Sequence, residues 1–437
     1  MLISCATCLV VSFEFSTLST DLKWLVVLNL IICGLVLINE KSIELEVSLL
    51  FIGTFSFFLL SRIILTIIGS YDLSKTNFFT SYSFDALILG RLYCVLNLAL
   101  TGFIVGVRSR GNRSYKRLLA RGPSGIVVYY AFLLIGCVLC LYAAYLSIIS
   151  ILNSGYIAAF KEGSKVSELL LFITRVVAFI ATSLTLYLKK KRSHIFIIGI
   201  CTLVFLLSDG RRGPGLCYAI GLSFLYLKTF KVKIRFWQLT VFSITILYLA
   251  IYVGNLRYAS NSASNLVLMD FFYGQGISIQ NIGYAIKLND SLSYSIIDIF
   301  NPVAKFIYDS FTSLGLLGSD FGGQSDIVES FKVYSLYLSS IVNPRLFGNG
   351  FGMGGCYLAE LYSAGGIIAI FMFNFLLSRF IGFFLKKSDN IVAFRITLLP
   401  FIANVIYLPR NNIGSLLLEM LIYLIVGLVL NLLYRLK

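Results

Sequence analysis

The sequence predicts an all-α polytopic integral membrane protein of about 12 transmembrane helices, with one large outer (periplasmic) loop containing short helices. Three observations predict it. Hydrophobic residues make up 58% of the 437 and charged residues 13%, with a mean hydropathy of +0.89, so too little polar surface remains to clothe a water-soluble fold. Apolar runs long enough to cross a bilayer recur along the chain, and lipid obliges each to satisfy its own backbone hydrogen bonds as a helix. Between these runs the basic residues collect in alternate connections.

The spans fall at roughly 2–17, 22–39, 47–68, 86–107, 126–150, 166–188, 194–208, 214–229, 237–254, 364–385, 391–408 and 413–434. The first is short and interrupted by Glu14. A net charge of +16 belongs to cytoplasmic loops, which accumulate lysine and arginine, and not to nucleic-acid binding. With the N-terminus inside, "RSRGNRSYKRLLAR" (Arg108–Arg121), "KKKR" (Lys189–Arg192), "KTFKVKIR" (Lys228–Arg235), Lys386 with Lys387, and the tail "YRLK" all lie on the cytoplasmic side. The longest opposite loop, Asn255–Ser363, has as basic residues only Arg257, Lys287, Lys305, Lys332 and Arg345. Three parts follow: transmembrane helices 1–9 over 1–254, the large loop with interfacial helices over 255–363, and helices 10–12 over 364–437, with both termini cytoplasmic. The N-terminus lacks a basic n-region and a small-residue cleavage site, so the first apolar stretch reads as a retained helix.

The nine cysteines fall almost entirely inside apolar runs, where a thiol packs as a small hydrophobe. Cys5 with Cys8 and Cys137 with Cys140 have the C-x-x-C spacing, but a zinc or cluster site needs four ligands and the one histidine, His194, lies elsewhere. The acidic residues of the loop, Asp270, Asp290, Asp298, Asp309, Asp320, Asp326 and Glu329, show no tight ligand spacing, so no bound divalent cation is expected. No glycine loop followed by Lys and Ser is present, so no nucleotide or other cofactor is expected.

Chemistry is expected where charge sits at the outer boundary. "SDGRRGPG" (Ser208–Gly215) places Arg211 and Arg212 at a turn between two short apolar runs. A guanidinium pair framed by glycines offers a fork and open backbone amides to a pyrophosphate, and Pro214 can open the next helix with its positive end on the same side. The alternative is that both arginines snorkel to membrane lipid phosphates. "GNLRYAS" puts Arg257 just past the ninth span, and "YLPRNN" puts Arg410 at the turn between the last two. "NPRLFGNGFGMGGCYLAELYSAGG" sets Arg345, Glu360 and Tyr362 among glycines, which allow close backbone approach to a ligand. An acidic side chain at that depth must be paired or hydrogen-bonded, so Glu360 is either a partner of one of these arginines or a general base. Arg62, Arg91, Arg175 and Arg379 lie in or at the ends of spans; the first three fall on outer halves and snorkelling is their default reading.

At "FFYGQGISIQNIGYAI", followed by "LFGNGFGMGGCYLAELYSAGGIIAIFMFNFLLSRFIGFF", the chain resembles the O-antigen polysaccharide polymerases of the Wzy family. The resemblance covers most of the chain: about a dozen helices, a large outer loop in the second half, a glycine-rich stretch leading into A-E-x-Y, and outer-loop arginines. It implies a metal-independent membrane glycosyltransferase of the bacterial inner membrane. Its substrates would be undecaprenyl-pyrophosphate-linked oligosaccharides, with a separate chain-length regulator protein as a partner. Arg211 and Arg212 match the family's outer-loop arginine region and Glu360 its A-E-x-Y glutamate, giving these three the catalytic roles. Arg257, Arg345, Arg410, Tyr362 and Gln275 are then expected to bind pyrophosphate or glycan, Arg257 and Arg410 by topology alone. Two alternatives stay open at the level of sequence. A ligase-like transferase would be expected to use a loop histidine, whereas His194 is on the inner side, and a lipid-linked oligosaccharide flippase would show short loops and two similar halves.

Overall fold

The computed structural model of the chain describes residues 19–38, 43–69, 73, 84–108, 126–154, 168–188, 192–208, 212–232, 248, 268–313, 324–348 and 352–435. Every regular element among them is a helix. The long ones are α1 (Ser19–Ile38), α2 (Ile43–Phe55, continuing through a π-helical turn Ser56–Leu60 into Ser61–Ile67), α3 (Ala86–Arg108), α4 (Ile126–Ser154), α5 (Glu168–Tyr187), α6 (Arg192–Ser208) and α7 (Arg212–Phe230). Short helices follow: α8 (Leu268–Gln275), α9 (Ser278–Lys287), a 3-10 turn Ile297–Phe300, α10 (Asn301–Ser313), α11 (Gln324–Ser330), α12 (Tyr334–Val342) and α13 (Pro344–Gly348). The chain ends with α14 (Tyr357–Asn390), α15 (Val392–Ile396), α16 (Leu398–Tyr407), a 3-10 turn Leu408–Arg410 and α17 (Ile413–Arg435). Six of the helices among the described residues are long and apolar enough to cross a membrane, and Leu22–Leu37, Arg192–Ser208 and Leu398–Arg410 are shorter apolar helices.

Each expected span that falls on described residues is helical. The span at 2–17 lies outside them, and so does 237–254 apart from Tyr248. The span expected at 391–408 is broken in two. Thr397 leaves helical geometry (φ −89°, ψ 6°) between α15 and α16, and Pro400 then sits in the first turn of α16, where its missing N–H is not needed.

Contacts divide the chain into two compact units. The first comprises Met1–Arg117, Gln275–Asn390 and Val405–Leu421; the second comprises Leu118–Gly274, Ile391–Asn404 and Ile422–Lys437.

The first unit is built on α3 against α14. A Cβ on Gly102 would stand 2.5 Å from the carbonyl oxygen of Phe371, and one on Gly106 2.5 Å from that of Phe375. This is small-xxx-small packing, in which missing side chains let backbones meet where lipid offers no hydrophobic drive for association. Pairing of 102 with 371 and of 106 with 375 also fixes direction: the two helices run parallel. On the other side of α3, buried Asn29 of α1 donates to Asn97 Oδ1 at 2.7 Å.

α14 is two helices joined by a reversal. Gly365 and Gly366 depart from helical geometry, Gly366 with φ 64° and ψ −153°, a region open almost to glycine alone. In an unbroken helix Tyr357 and Asn374 would stand about 25 Å apart, yet the Tyr357 hydroxyl donates to Asn374 Oδ1 at 2.8 Å. The segment 357–364 therefore lies back against the helix 367–390. Enclosed with it is α9, whose residues 278–286 are all buried, with the Phe84 ring seated on Gly283.

The second unit packs α4 against α5 and α6, and α6 against α7. Two side-chain pairs join its helices: Thr182 Oγ1 lies 2.9 Å from the Tyr218 hydroxyl, and the Tyr129 hydroxyl lies 2.8 Å from His194 Nδ1.

Gly106→Val should put a branched side chain into the Phe375 carbonyl, lowering stability by about 1–3 kcal/mol and the detergent melting temperature with it. Gly53→Ala, where a Cβ meets nothing within 4 Å, should leave the melting temperature within error.

Candidate functional site

The site lies in the first unit, where the reversal of α14 carries Glu360 into the interior. Glu360 is 0% exposed, and each carboxylate oxygen has its own donor. The Tyr294 hydroxyl donates to Oε1 at 2.9 Å, and the Ile413 backbone N–H donates to Oε2 at 2.6 Å. Among the described residues no lysine or arginine is bonded to it, so the carboxylate is held by a phenol and by the first N–H of α17. An anion at that helix end is favoured by the helix dipole and satisfies a backbone donor that has no intrahelical partner.

Tyr294 belongs to an aromatic cluster. Its ring centroid lies 4.9 Å from that of Tyr334, edge to face, and 6.4 Å from that of Tyr337. Burial, and then the adjacent Glu360 carboxylate, push the Tyr294 phenol well above its ordinary range, so it remains a donor. Burial likewise raises Tyr334, whose hydroxyl lies 3.0 Å from Ser363 Oγ. Lys332 holds the cluster's edge, its Nζ 5.7 Å from the Tyr337 ring centroid and donating to the Ser293 carbonyl at 3.0 Å.

The Ile413 bond fixes more than a helix end, because the preceding turn carries Arg410. The Arg410 guanidinium donates to Gln275 Oε1 at 2.6 Å and stands 5.7 Å from the Phe58 ring centroid, in the π-helical turn of α2. Asn412 Nδ2 donates to Ser335 Oγ at 3.1 Å, and Gly355 packs directly on Asn411 and Asn412. Gly276 makes the approach of Gln275 possible: a Cβ there would meet Ser61 Oγ and would stand 2.7 Å from Cγ of buried Arg62. The "GQG" of the sequence is thus a close contact with α2.

A second focus lies at the reversal itself. Asn289, Tyr362, Ser363, the glycine pair and Ile368 line an open cleft of about 530 Å³. The Tyr362 hydroxyl neighbours the guanidinium of Arg91, with the Asp290 carboxylate also close. Carried back from Gly102 and Phe371, the parallel register of α3 and α14 sets Gly366 level with Asn97, with Arg91 nearer the start of α3.

The sequence-derived candidates divide accordingly. Gln275 and Arg410 are bonded to each other, Glu360 is fastened to the helix that follows Arg410, and Tyr362 faces the cleft beside Arg91. Arg345 is exposed on α13. Arg211 and Arg257 lie outside the described residues, as does the side chain of Arg212 at the start of α7. Sequence reasoning gave no role to Tyr294, Ser335 or Phe58. Tyr294 precedes Glu360 by 66 residues, and nothing local marks either as the other's partner.

A family model described as O-antigen polysaccharide polymerase Wzy matches residues 1–437, the whole chain. No curated protein and no solved structure matches it.

Gly276→Ala should force Arg62 or Gln275 aside and destabilise the chain by about 1–3 kcal/mol, seen as a lower melting temperature. Gly274→Ala, two residues earlier in open space, should not.

Proposed function

The chain belongs to the O-antigen polysaccharide polymerase Wzy family, and from that premise we propose that it joins undecaprenyl-pyrophosphate-linked repeat units at the periplasmic face of the bacterial inner membrane. The hydroxyl at the non-reducing end of a fresh unit attacks the anomeric carbon of the growing chain. The bond from that carbon to the phosphate oxygen breaks, the lipid diphosphate leaves with the electron pair, and the hydroxyl proton passes to a base or water. The single observation that carries the reading is the gathering of Arg410, Gln275, Glu360, Tyr362 and Arg91 in one unit from widely separated stretches of chain. Parallel packing of α3 and α14 agrees with the order of spans, which has both cross the membrane in the same direction, and the basic loops are what assign that direction as outside to inside.

In this reading Arg211, Arg212 and Arg410 supply positive charge to the departing diphosphate, so that guanidinium groups perform the task a metal would otherwise perform. Arg257 and Arg345 extend the cationic surface along the glycan path, with Tyr362 and Gln275 as polar contacts. A chain-length regulator acts as a separate partner. Glu360 is a positioning residue: both its oxygens are occupied in a dry interior, and what they hold is the turn that aims Arg410. To serve as a base toward a sugar hydroxyl it would first have to release Tyr294.

A strain lacking the protein should display lipid core capped with one repeat unit. Restoring it with Glu360→Gln, at matched protein level, should leave that single-unit band in place of the ladder, while long chains from this variant would remove Glu360 from the mechanism. Impermeant thiol reagents should label a cysteine at 211 from the periplasmic side; labelling only from the cytosol would overturn the orientation.

A further inference from the structure

Joining two lipid-linked units requires two lipid diphosphates to be held at once, one leaving from the donor and one retained by the acceptor. In the polymerase reading the arginine pair at 211–212 is assigned to one of them. The cleft at the reversal of α14 has the composition for the other. Its polar side has Tyr362, Asn289 and Ser363 on the wall, and the Tyr362 hydroxyl neighbours Arg91, itself an exposed residue outside the wall. Arg91 is in no ion pair with a carboxylate among the described residues, and a guanidinium fork with an adjacent phenol suits a phosphate oxygen pair.

The other side of the cleft is apolar and open, lined by Ile367 and by Ile368, which is 77% exposed. Ile296 borders the same wall, its Cδ1 3.8 Å from where a Cβ of Gly365 would stand. A free diphosphate has no use for such a surface, whereas a prenyl chain attached to the diphosphate does. One cation with Asp290 nearby is weak equipment for stabilising a leaving group and adequate for holding a group that stays bound, with Asp290 and Asn289 able to accept from sugar hydroxyls.

We propose that this cleft binds the acceptor: Arg91 and Tyr362 take the diphosphate of a prenyl-diphosphate-linked glycan, Asn289 and Ser363 take its first sugar, and Ile368 meets the start of its prenyl chain. The assignment rests on the polymerase reading for the substrate class. It is tested on the full chain in lipid nanodiscs with farnesyl diphosphate as the probe, reading stoichiometry by titration calorimetry. The wild-type chain should bind two equivalents. Arg91→Gln and, independently, Ile368→Trp, which fills the cleft from an exposed position, should each bind one. Arg211→Gln/Arg212→Gln should lose the other equivalent, and Lys386→Gln should keep both.

Inorganic pyrophosphate should bind the cleft at least tenfold more weakly than farnesyl diphosphate. Two equivalents retained by Arg91→Gln and Ile368→Trp, or a single equivalent in the wild-type chain, would overturn the proposal. Equal binding of inorganic pyrophosphate would overturn the lipid assignment. Failure of the polymerase reading shows differently, as an unchanged glycan ladder in the strain lacking the protein.

Discussion

A single buried carboxylate organises one end of the first unit. Glu360 has no access to solvent, so its charge is tolerable only because a phenol and a helix N-terminal N–H each donate to it. Those two donors come from separate segments, the loop before the 3-10 turn at Ile297–Phe300 and the start of α17, which also meet where Gly414 packs on Ile299 and Pro302. Charge-assisted hydrogen bonds of this kind contribute about 1.5–3 kcal/mol each, and an orphaned partner in a dry interior costs about as much. The carboxylate is buried where these segments converge and bonds to both. Arg410 inherits its position from that convergence, three residues before the N–H that Glu360 holds.

Glu360 reaches the interior because backbone geometry carries it there. The positive φ at Gly366 lets the chain reverse, and the Tyr357–Asn374 hydrogen bond closes the reversal. Helix 367–390 is in turn aligned by Gly102 and Gly106 of α3, whose lack of side chains sets both the separation and the parallel register. Three glycine positions thus set the placement of the buried carboxylate.

Much of this was legible in the sequence, and unevenly so. Apolar runs marked helices, and the six long apolar helices among the described residues all fall on expected spans, while the glycine-rich "GMGGCYLAELYSAGG" marked the place where chain geometry becomes unusual. The bond between Gln275 and Arg410 joins two residues that the motifs had singled out separately. The whole-chain family match decides among polymerase, ligase-like and flippase readings in favour of the first. Signals for the reversal and for α3 packing were present, as adjacent glycines at 365–366 and the four-residue spacing of Gly102 and Gly106. The partners of Glu360 were not legible, because a hydrogen bond across 53 or 66 residues leaves no trace in local pattern. Arg91 was undervalued for a related reason: an arginine near a span end is ordinarily a snorkelling residue, and only the broken helix beside it gives it another surface to face.

The claim that Glu360 and Tyr294 act as one unit is tested most directly by a double-mutant cycle on thermal unfolding of Glu360→Gln, Tyr294→Phe and the double variant in a single detergent. A coupling of about 1–3 kcal/mol is expected, because Tyr294→Phe strands a carboxylate oxygen in the interior, whereas with Glu360→Gln already in place it removes only a neutral hydrogen bond. Stability losses that add to within about 0.5 kcal/mol would show the two residues to be independent and would contradict the account.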